Sequence, residues 1–173
     1  MSLSARCELR LAGVHSDLVR VVRRAAEGGA LFRVTEGMRT PERQAELVAK
    51  GASQTMNSRH LTGHAVDLAP LDNGDISWNW THFFPLADAV ADAAGAEGVP
   101  LIWGGAWGRL VGDWPQGRAK AAQAAYVAER RAAGRKPFLD GPHFELPAAA
   151  YPSAWRVATP ALSAAGGIPR IVD

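Results

Sequence analysis

The chain has 173 residues, 47% of them hydrophobic and 21% charged, with 19 Lys and Arg against 17 Asp and Glu. This is the make-up of one globular domain; it excludes a disordered chain, and a net charge of +2, evenly spread, gives no case for nucleic acid though it would suit a mildly anionic partner. A single cysteine, Cys7, excludes an intramolecular disulfide and a Cys-rich zinc site, and no run approaches the roughly 20 apolar residues of a membrane span, so no stable membrane insertion is expected.

Residues 1–13 carry Arg6, Glu8 and Arg10 where a cleavable signal would need an apolar run. Export by that route is not expected, and a free thiol fits synthesis in a reducing cytoplasm. Val14, Leu18, Val21, Val22 and Ala25 then recur at helical spacing over 14–29, with Ser16 as a cap and Gly28-Gly29 as a stop. Residues 31–35 alternate as a strand. Thr40-Pro41 reads as an N-cap followed by proline in the first turn, opening a helix that runs to Lys50-Gly51. Residues 52–59 are polar loop, 64–69 a short strand, and Asp72-Asn73-Gly74-Asp75 a turn. A helix is predicted from about Thr81 to Ala96, a strand at 101–103, an Ala- and Arg-rich helix at 118–133 and a last strand at 143–146. Residues 147–173, with Pro147, Pro152, Pro160 and Pro169, read as an extended tail, ordered at most in part, rather than a second domain. Short strands mixed irregularly with helices predict an α+β fold: a compact single domain with a small, mainly antiparallel sheet.

Three residues stand out chemically. Asp67 lies between Val66 and Leu68 in an otherwise apolar strand, where a carboxylate is costly unless paired or metal-bound. His60 lies seven residues before it, and Gly63 between them lets the chain turn so that the two converge. His143 opens a strand far along the chain. Three protein ligands with a fourth position left for water is the usual pattern of zinc hydrolases. Taken alone, such a triplet is only suggestive in a chain with five histidines.

The run Ser58-Arg59-His60-Leu61-Thr62-Gly63-His64-Ala65-Val66-Asp67 matches the pattern S-x-H-x-x-G-x-A-x-D. It resembles the zinc peptidases that cut peptidoglycan stem peptides: the D-alanyl-D-alanine carboxypeptidases and dipeptidases and, most closely, the phage endolysins that are L-alanyl-D-glutamate peptidases. Thr35-Glu36-Gly37-Met38-Arg39-Thr40 resembles that family's arginine-presenting turn, and Asp140-Gly141-Pro142-His143 its closing D-x-x-H segment. The resemblance covers roughly residues 14–146 and implies a catalytic domain over 1–146 with its zinc site at the sheet edge. It implies that His60, Asp67 and His143 bind zinc, that Asp140 is the acid/base, and that Arg39 polarises the scissile carbonyl. The chemistry is coherent. Zinc makes a hydroxide available near neutrality, a carboxylate moves the proton, and an ever-charged guanidinium faces the developing oxyanion. The chain departs from the family in a long segment, about 107–139, where relatives have a shorter connection.

Around this core, Ser58 and Glu145 are candidates for substrate contact or for supporting the ligands; Glu145 could instead be the base, or form a plain ion pair. His64 falls on the strand face opposite Asp67 and is not expected to ligate. Trp103 is expected in the core, with Trp107 or Trp114 lining the cleft. Arg118, Lys120, Arg130 and Arg131 form a solvated face or a wall-binding patch. The resulting expectation is a monomeric phage endolysin, made in the host cytoplasm and acting on peptidoglycan once the membrane is opened. A D-alanyl-D-alanine carboxypeptidase or dipeptidase is the alternative with the same chemistry. A non-catalytic zinc-binding module is the alternative without it, and Asp140 and Arg39 argue against that.

Overall fold

The computed structural model describes residues 2–115 and 118–153. The tail from residue 154 onward, with Trp155, lies outside the described residues. Strands β1 (Phe32–Glu36), β2 (Ala65–Asp72), β4 (Ile102–Trp103) and β5 (His143–Glu145) form a sheet in the order β1-β2-β5-β4, and β3 (Asp75–Ile76) pairs with the far end of β2. Every pairing is antiparallel, as the irregular alternation of elements predicts. Helices α1 (Ala5–Arg10), α2 (Ser16–Glu27), α3 (Pro41–Ala49), α4 (Trp80–Glu97) and α5 (Arg118–Ala132) complete the α+β fold.

The strand registers decide which side chains meet. Val66 lies opposite Phe144 and Phe144 opposite Trp103, while Asp67 lies opposite His143 and Ala65 opposite Glu145. Residues directly opposed share a face, and the face alternates along each strand. One face therefore carries Val66, Leu68, Phe144 and Trp103, and the other carries Asp67, His143 and Glu145. A bulge between Val34 and Glu36 shifts the β1 register, so that Val34 stays opposite Leu68 but Glu36 falls opposite Asp67. That one inserted residue delivers Glu36 to the polar face.

The apolar face is buried under α2 and α4. Leu18, Val21, Val22 and Ala25 of α2, and Phe83, Leu86, Ala87 and Val90 of α4, join the strand residues in one core. The ends of α3 and α4 follow the local signals, whereas α2 is capped not by Ser16 but by His15, whose Nδ1 accepts from the Asp17 N–H at 3.2 Å. Thr40 Oγ1 accepts from the Arg43 N–H at 3.2 Å with Pro41 in the first turn, Asn79 Oδ1 accepts from the Thr81 N–H at 3.0 Å, and Gly98 closes α4 at φ 66°. Arg118 clasps α5 to α4 through Asp92 (2.7 and 3.1 Å) and the Asp88 carbonyl (2.6 Å).

Three further features differ from the sequence reading. Helix α1 has only Cys7 buried and no amphipathic pattern to announce it. It guards the outer edge of β1, where the Val34 N–H donates to Cys7 Sγ at 3.4 Å and Arg10 donates to the Val34 carbonyl at 2.6 Å. Strand β2 continues past Pro70 to Asp72. The neighbouring Leu71 N–H points to β1, so the Pro70 nitrogen faces the other side, where the short β5 has already ended. Finally, residues 147–153 fold back: Arg59 donates to the Leu146 carbonyl (2.9 and 3.1 Å), the Tyr151 carbonyl (2.8 Å) and Ser153 Oγ (3.2 Å).

Candidate metal centre and active-site cleft

His60 lies in a 3₁₀ turn, Arg59–Thr62, whose first N–H groups are capped by Ser58. Gly63 ends that turn at φ 70°, and a Cβ there would come within 2.1 Å of the Gly13 carbonyl oxygen, so glycine alone lets the chain double back into β2. Asp67 follows on β2 and His143 stands directly across from it on β5. Asp140 sits one turn earlier: the His143 N–H donates to the Asp140 carbonyl at 3.2 Å, closing the turn through Gly141-Pro142. Gly104, after β4, bonds to both, accepting from the Asp140 N–H (3.0 Å) and donating to the His143 carbonyl (2.8 Å). A Cβ on Gly104 would lie 2.3 Å from the Asp140 oxygen.

The three predicted ligands converge. His60 Nε2 is 3.2 Å from Asp67 Oδ1 and 3.2 Å from His143 Nδ1, and His143 Nδ1 is 3.3 Å from Asp67 Oδ1. The outer nitrogen of each imidazole is already committed. His60 Nδ1 meets the Gly37 carbonyl at 2.6 Å and His143 Nε2 meets Glu145 Oε2 at 2.9 Å, so each donates its N–H outward and turns a lone pair inward. Two nitrogen lone pairs and a carboxylate oxygen facing one another at this distance require a cation between them. Ligand atoms on a tetrahedron with bonds of about 2.0–2.1 Å stand about 3.3–3.4 Å apart, which is the spacing here to within about 0.2 Å. Among the described residues this is the one such group able to hold a metal ion.

The electrostatics agree. Burial alone would raise the Asp67 carboxyl, but the charge of His60 and hydrogen bonds from His143 and His60 hold it well below the usual carboxylate range. Burial alone would lower His143, yet its bonds to Asp67 and Glu145 and the charge of Asp140 push it up to about 10. The cluster thus attracts positive charge, and a divalent ion meets that demand as a proton does. Asp140 is raised, chiefly by burial and further by the Asp67 charge, against the opposing pull of His143.

Arg39, from the turn between β1 and α3, is buried beside this cluster. Its terminal nitrogens donate to Gln44 Oε1 (2.6 Å), Glu36 Oε2 (2.6 Å) and Asp67 Oδ2 (3.4 Å), while its Nε has no hydrogen-bond partner among the described residues. Fully buried Gln44 extends the network, donating to Ser53 Oγ (2.8 Å) and the Thr55 carbonyl (2.5 Å) and so fixing the 52–57 loop. Sequence reasoning passed over Gln44 and Glu36. The signal for Gln44 is its place on α3, three and four residues before Leu47 and Val48, which puts an amide where an apolar side chain would face inward.

Arg39, Ser58, His60, Asp67, Asp140, His143 and Glu145 all line one cleft of about 560 Å³, as do Trp107 and Phe138. Of the two tryptophans expected near the cleft, Trp107 lines it. Trp114 packs against Trp103, which is fully buried as expected. His64 stands apart, paired with Thr62 Oγ1 at 2.8 Å and ringed by His15 and Tyr151.

Residues 1–147 match the sequence model of a family described as phage L-alanyl-D-glutamate peptidase. The L-alanyl-D-glutamate peptidase of Escherichia phage T5 is 37% identical over 105 residues, 58% of this chain and 77% of that protein. That of Listeria phage A118 is 35% identical over 78 residues, 45% of this chain but 27% of the longer phage protein. In three dimensions the crystal structure of the Serratia marcescens L-Ala D-Glu endopeptidase ChiX matches with a TM-score of 0.64 and 38% identity, covering 88% of this chain and 95% of that one. The family match takes in every residue of the cleft, and the chain belongs to the phage L-alanyl-D-glutamate peptidase family.

Proposed function

We propose that this chain is a zinc peptidase that hydrolyses the L-alanyl-D-glutamate bond of peptidoglycan stem peptides, acting as a phage endolysin in host cell lysis. The observation that carries the reading is the cluster of three inward-facing donors, 3.2–3.3 Å apart, beside the half-buried Asp140 carboxyl in a cleft of this peptidase family. Two imidazoles and one carboxylate suit zinc, and three protein ligands leave a position open to the cleft. His60, Asp67 and His143 would hold the ion, which when bound supplies Lewis acidity toward water and the scissile carbonyl.

The chain's own residues do the rest. Asp140 accepts the proton of the attacking water and returns it to the leaving amine, and its raised affinity for protons suits both halves of that task. Arg39 offsets the negative charge that develops on the carbonyl oxygen, its guanidinium held beside Asp67 by Gln44 and Glu36. Glu145 fixes the His143 ring, and Ser58 caps the turn that presents His60. No helix among the described residues is long and apolar enough to cross a membrane. The enzyme is made in the host cytoplasm, reaches the wall after the membrane is opened, and works as a monomer.

Digestion of purified peptidoglycan, with new termini identified by mass spectrometry, tests the reading. New L-alanyl carboxyl and D-glutamyl amino termini are expected. Release of terminal D-alanine instead would make it a D-alanyl-D-alanine carboxypeptidase, and no cleavage at all would make it a zinc-binding module.

A further inference from the structure

The cleft has two unlike walls. One is polar: the 52–58 loop brings Ser53, Thr55 and Ser58, and Arg39 and Arg59 lie beside it. The other is aromatic. The Trp107 ring packs 5.1 Å from the His143 ring, and the Phe138 ring stacks 6.1 Å from Trp107 with their planes 24° apart. Both aromatics come from the ends of the segment of about residues 107–139, and α5 between them braces the wall. The Phe138 N–H donates to the hydroxyl of buried Tyr126 at 3.3 Å, while α5 is itself clasped to α4 by Arg118.

We propose that Trp107 and Phe138 form the subsite for the glycan-side end of the substrate, the lactyl group and the muramyl ring that carry the stem peptide. This rests on the peptidoglycan-peptidase reading above. In such a substrate the L-alanyl nitrogen is acylated by the lactyl group, so the sugar begins two residue-length units before the scissile carbonyl, about 7 Å when extended. The Trp107 ring lies 5.1 Å from the His143 ring and 6.1 Å from the Phe138 ring, separations of the same order as that interval. The alanyl and lactyl methyls and the C–H face of a pyranose are apolar surface, which an aromatic wall accepts and a wall of hydroxyls and guanidinium groups does not. The D-glutamyl side carries carboxylate and amide groups and falls to the polar wall, where Ser53, Thr55 and Ser58 offer hydrogen-bonding groups. The long segment is thus a specificity element of the cleft.

The test compares two substrates that share the scissile bond: a disaccharide-tetrapeptide released from peptidoglycan, and the same tetrapeptide N-acetylated in place of its lactyl-sugar end. The wild-type enzyme should cleave the disaccharide-tetrapeptide with the lower KM. Phe138→Ala should raise that KM roughly tenfold, as loss of one stacking platform does for other ligands, while leaving the acetylated peptide within about twofold. Phe138→Tyr keeps the ring and should restore the preference. Equal losses on both substrates would show that Phe138 merely supports Asp140 two residues away, and would overturn the proposal. So would a wild-type enzyme indifferent to the sugar, although the peptidase reading would then stand. Cleavage of neither substrate would overturn the peptidase reading itself.

Discussion

Asp140→Asn removes a proton acceptor and little else. The turn through Gly141-Pro142 is held by the Asp140 backbone, not its carboxyl, so the fold and the His143 position should survive. Peptidoglycan hydrolysis should fall by about 10²–10⁴-fold with metal content unchanged. Glu145→Gln separates the two carboxylates. If Glu145 only orients His143, the loss should be milder and metal affinity should weaken by roughly 10–100-fold; a severe loss with metal retained would instead make Glu145 the base. The acid limb of kcat/KM follows the same logic. Asp140 must be ionised to take a proton, so activity should fall on acidification; burial raises the pH of that fall and a bound cation lowers it. An acid limb that Asp140→Asn leaves in place in its residual activity would exclude Asp140 as its origin. For Arg39 the informative change is Arg39→Lys. Alanine would leave Glu36 and Asp67 without their buried partner, whereas lysine keeps the charge and loses the fork that spans Gln44, Glu36 and Asp67.

At the scale of elements, the parts legible in the sequence were those fixed by local chemistry. Thr40-Pro41 and the Gly98 stop set helix ends, the apolar stripe of residues 14–29 set α2, and the alternation around Asp67 put it on the face away from Val66 and Leu68. The convergence of His60, Asp67 and His143 was legible because the first two share one motif and the third sits in another. Elements held by distant partners were not. Helix α1 exists to satisfy the edge of β1, and nothing within residues 5–10 announces it. The bulge that turns Glu36 toward Asp67 depends on the β1–β2 pairing, and the Gln44 network depends on a loop folding back over α3. The Arg59 clasp is of the same kind: one guanidinium, adjacent to a ligand histidine, ties down residues 146–153 through four hydrogen bonds. Arg59→Ala should destabilise the protein by about 2–3 kcal/mol: a hydrogen bond from a charged group is worth about 1.5–3 kcal/mol net, and at this part-buried clasp water reaches most of the acceptors the arginine leaves. It should also open the chain after Leu146 to proteases. Tyr151→Phe removes one bond, the 2.8 Å contact to Asp17, and should cost about 1 kcal/mol. Urea melts of both variants check the order; equal and negligible effects would reduce the clasp to a surface contact.

For the whole molecule, the candidate metal centre and the hydrophobic core lie on opposite faces of one sheet. Small zinc domains unfold when stripped because the metal replaces a core they lack. Here the core is continuous from α2 through β2 and β5 to α4, and none of its members is a ligand. The stripped protein should therefore stay folded, with unchanged far-ultraviolet circular dichroism at 25 °C. The ligands nonetheless come from three segments spread over residues 60–143, so an ion held by all three stabilises the native state over any state in which β5 has left β2. With free metal at about 1,000 times its Kd, that linkage is worth about 4 kcal/mol. For a domain of this size each kcal/mol moves Tm by about 2–4 °C, so chelation should lower Tm by roughly 8–16 °C. His60→Ala should melt near the chelated value and hardly respond to further chelation, because its site is already broken. Both numbers come from paired calorimetric scans with and without chelator. A wild-type Tm indifferent to chelation would mean that the three donors do not hold an ion, whereas unfolding on chelation would mean that the core does not suffice without it.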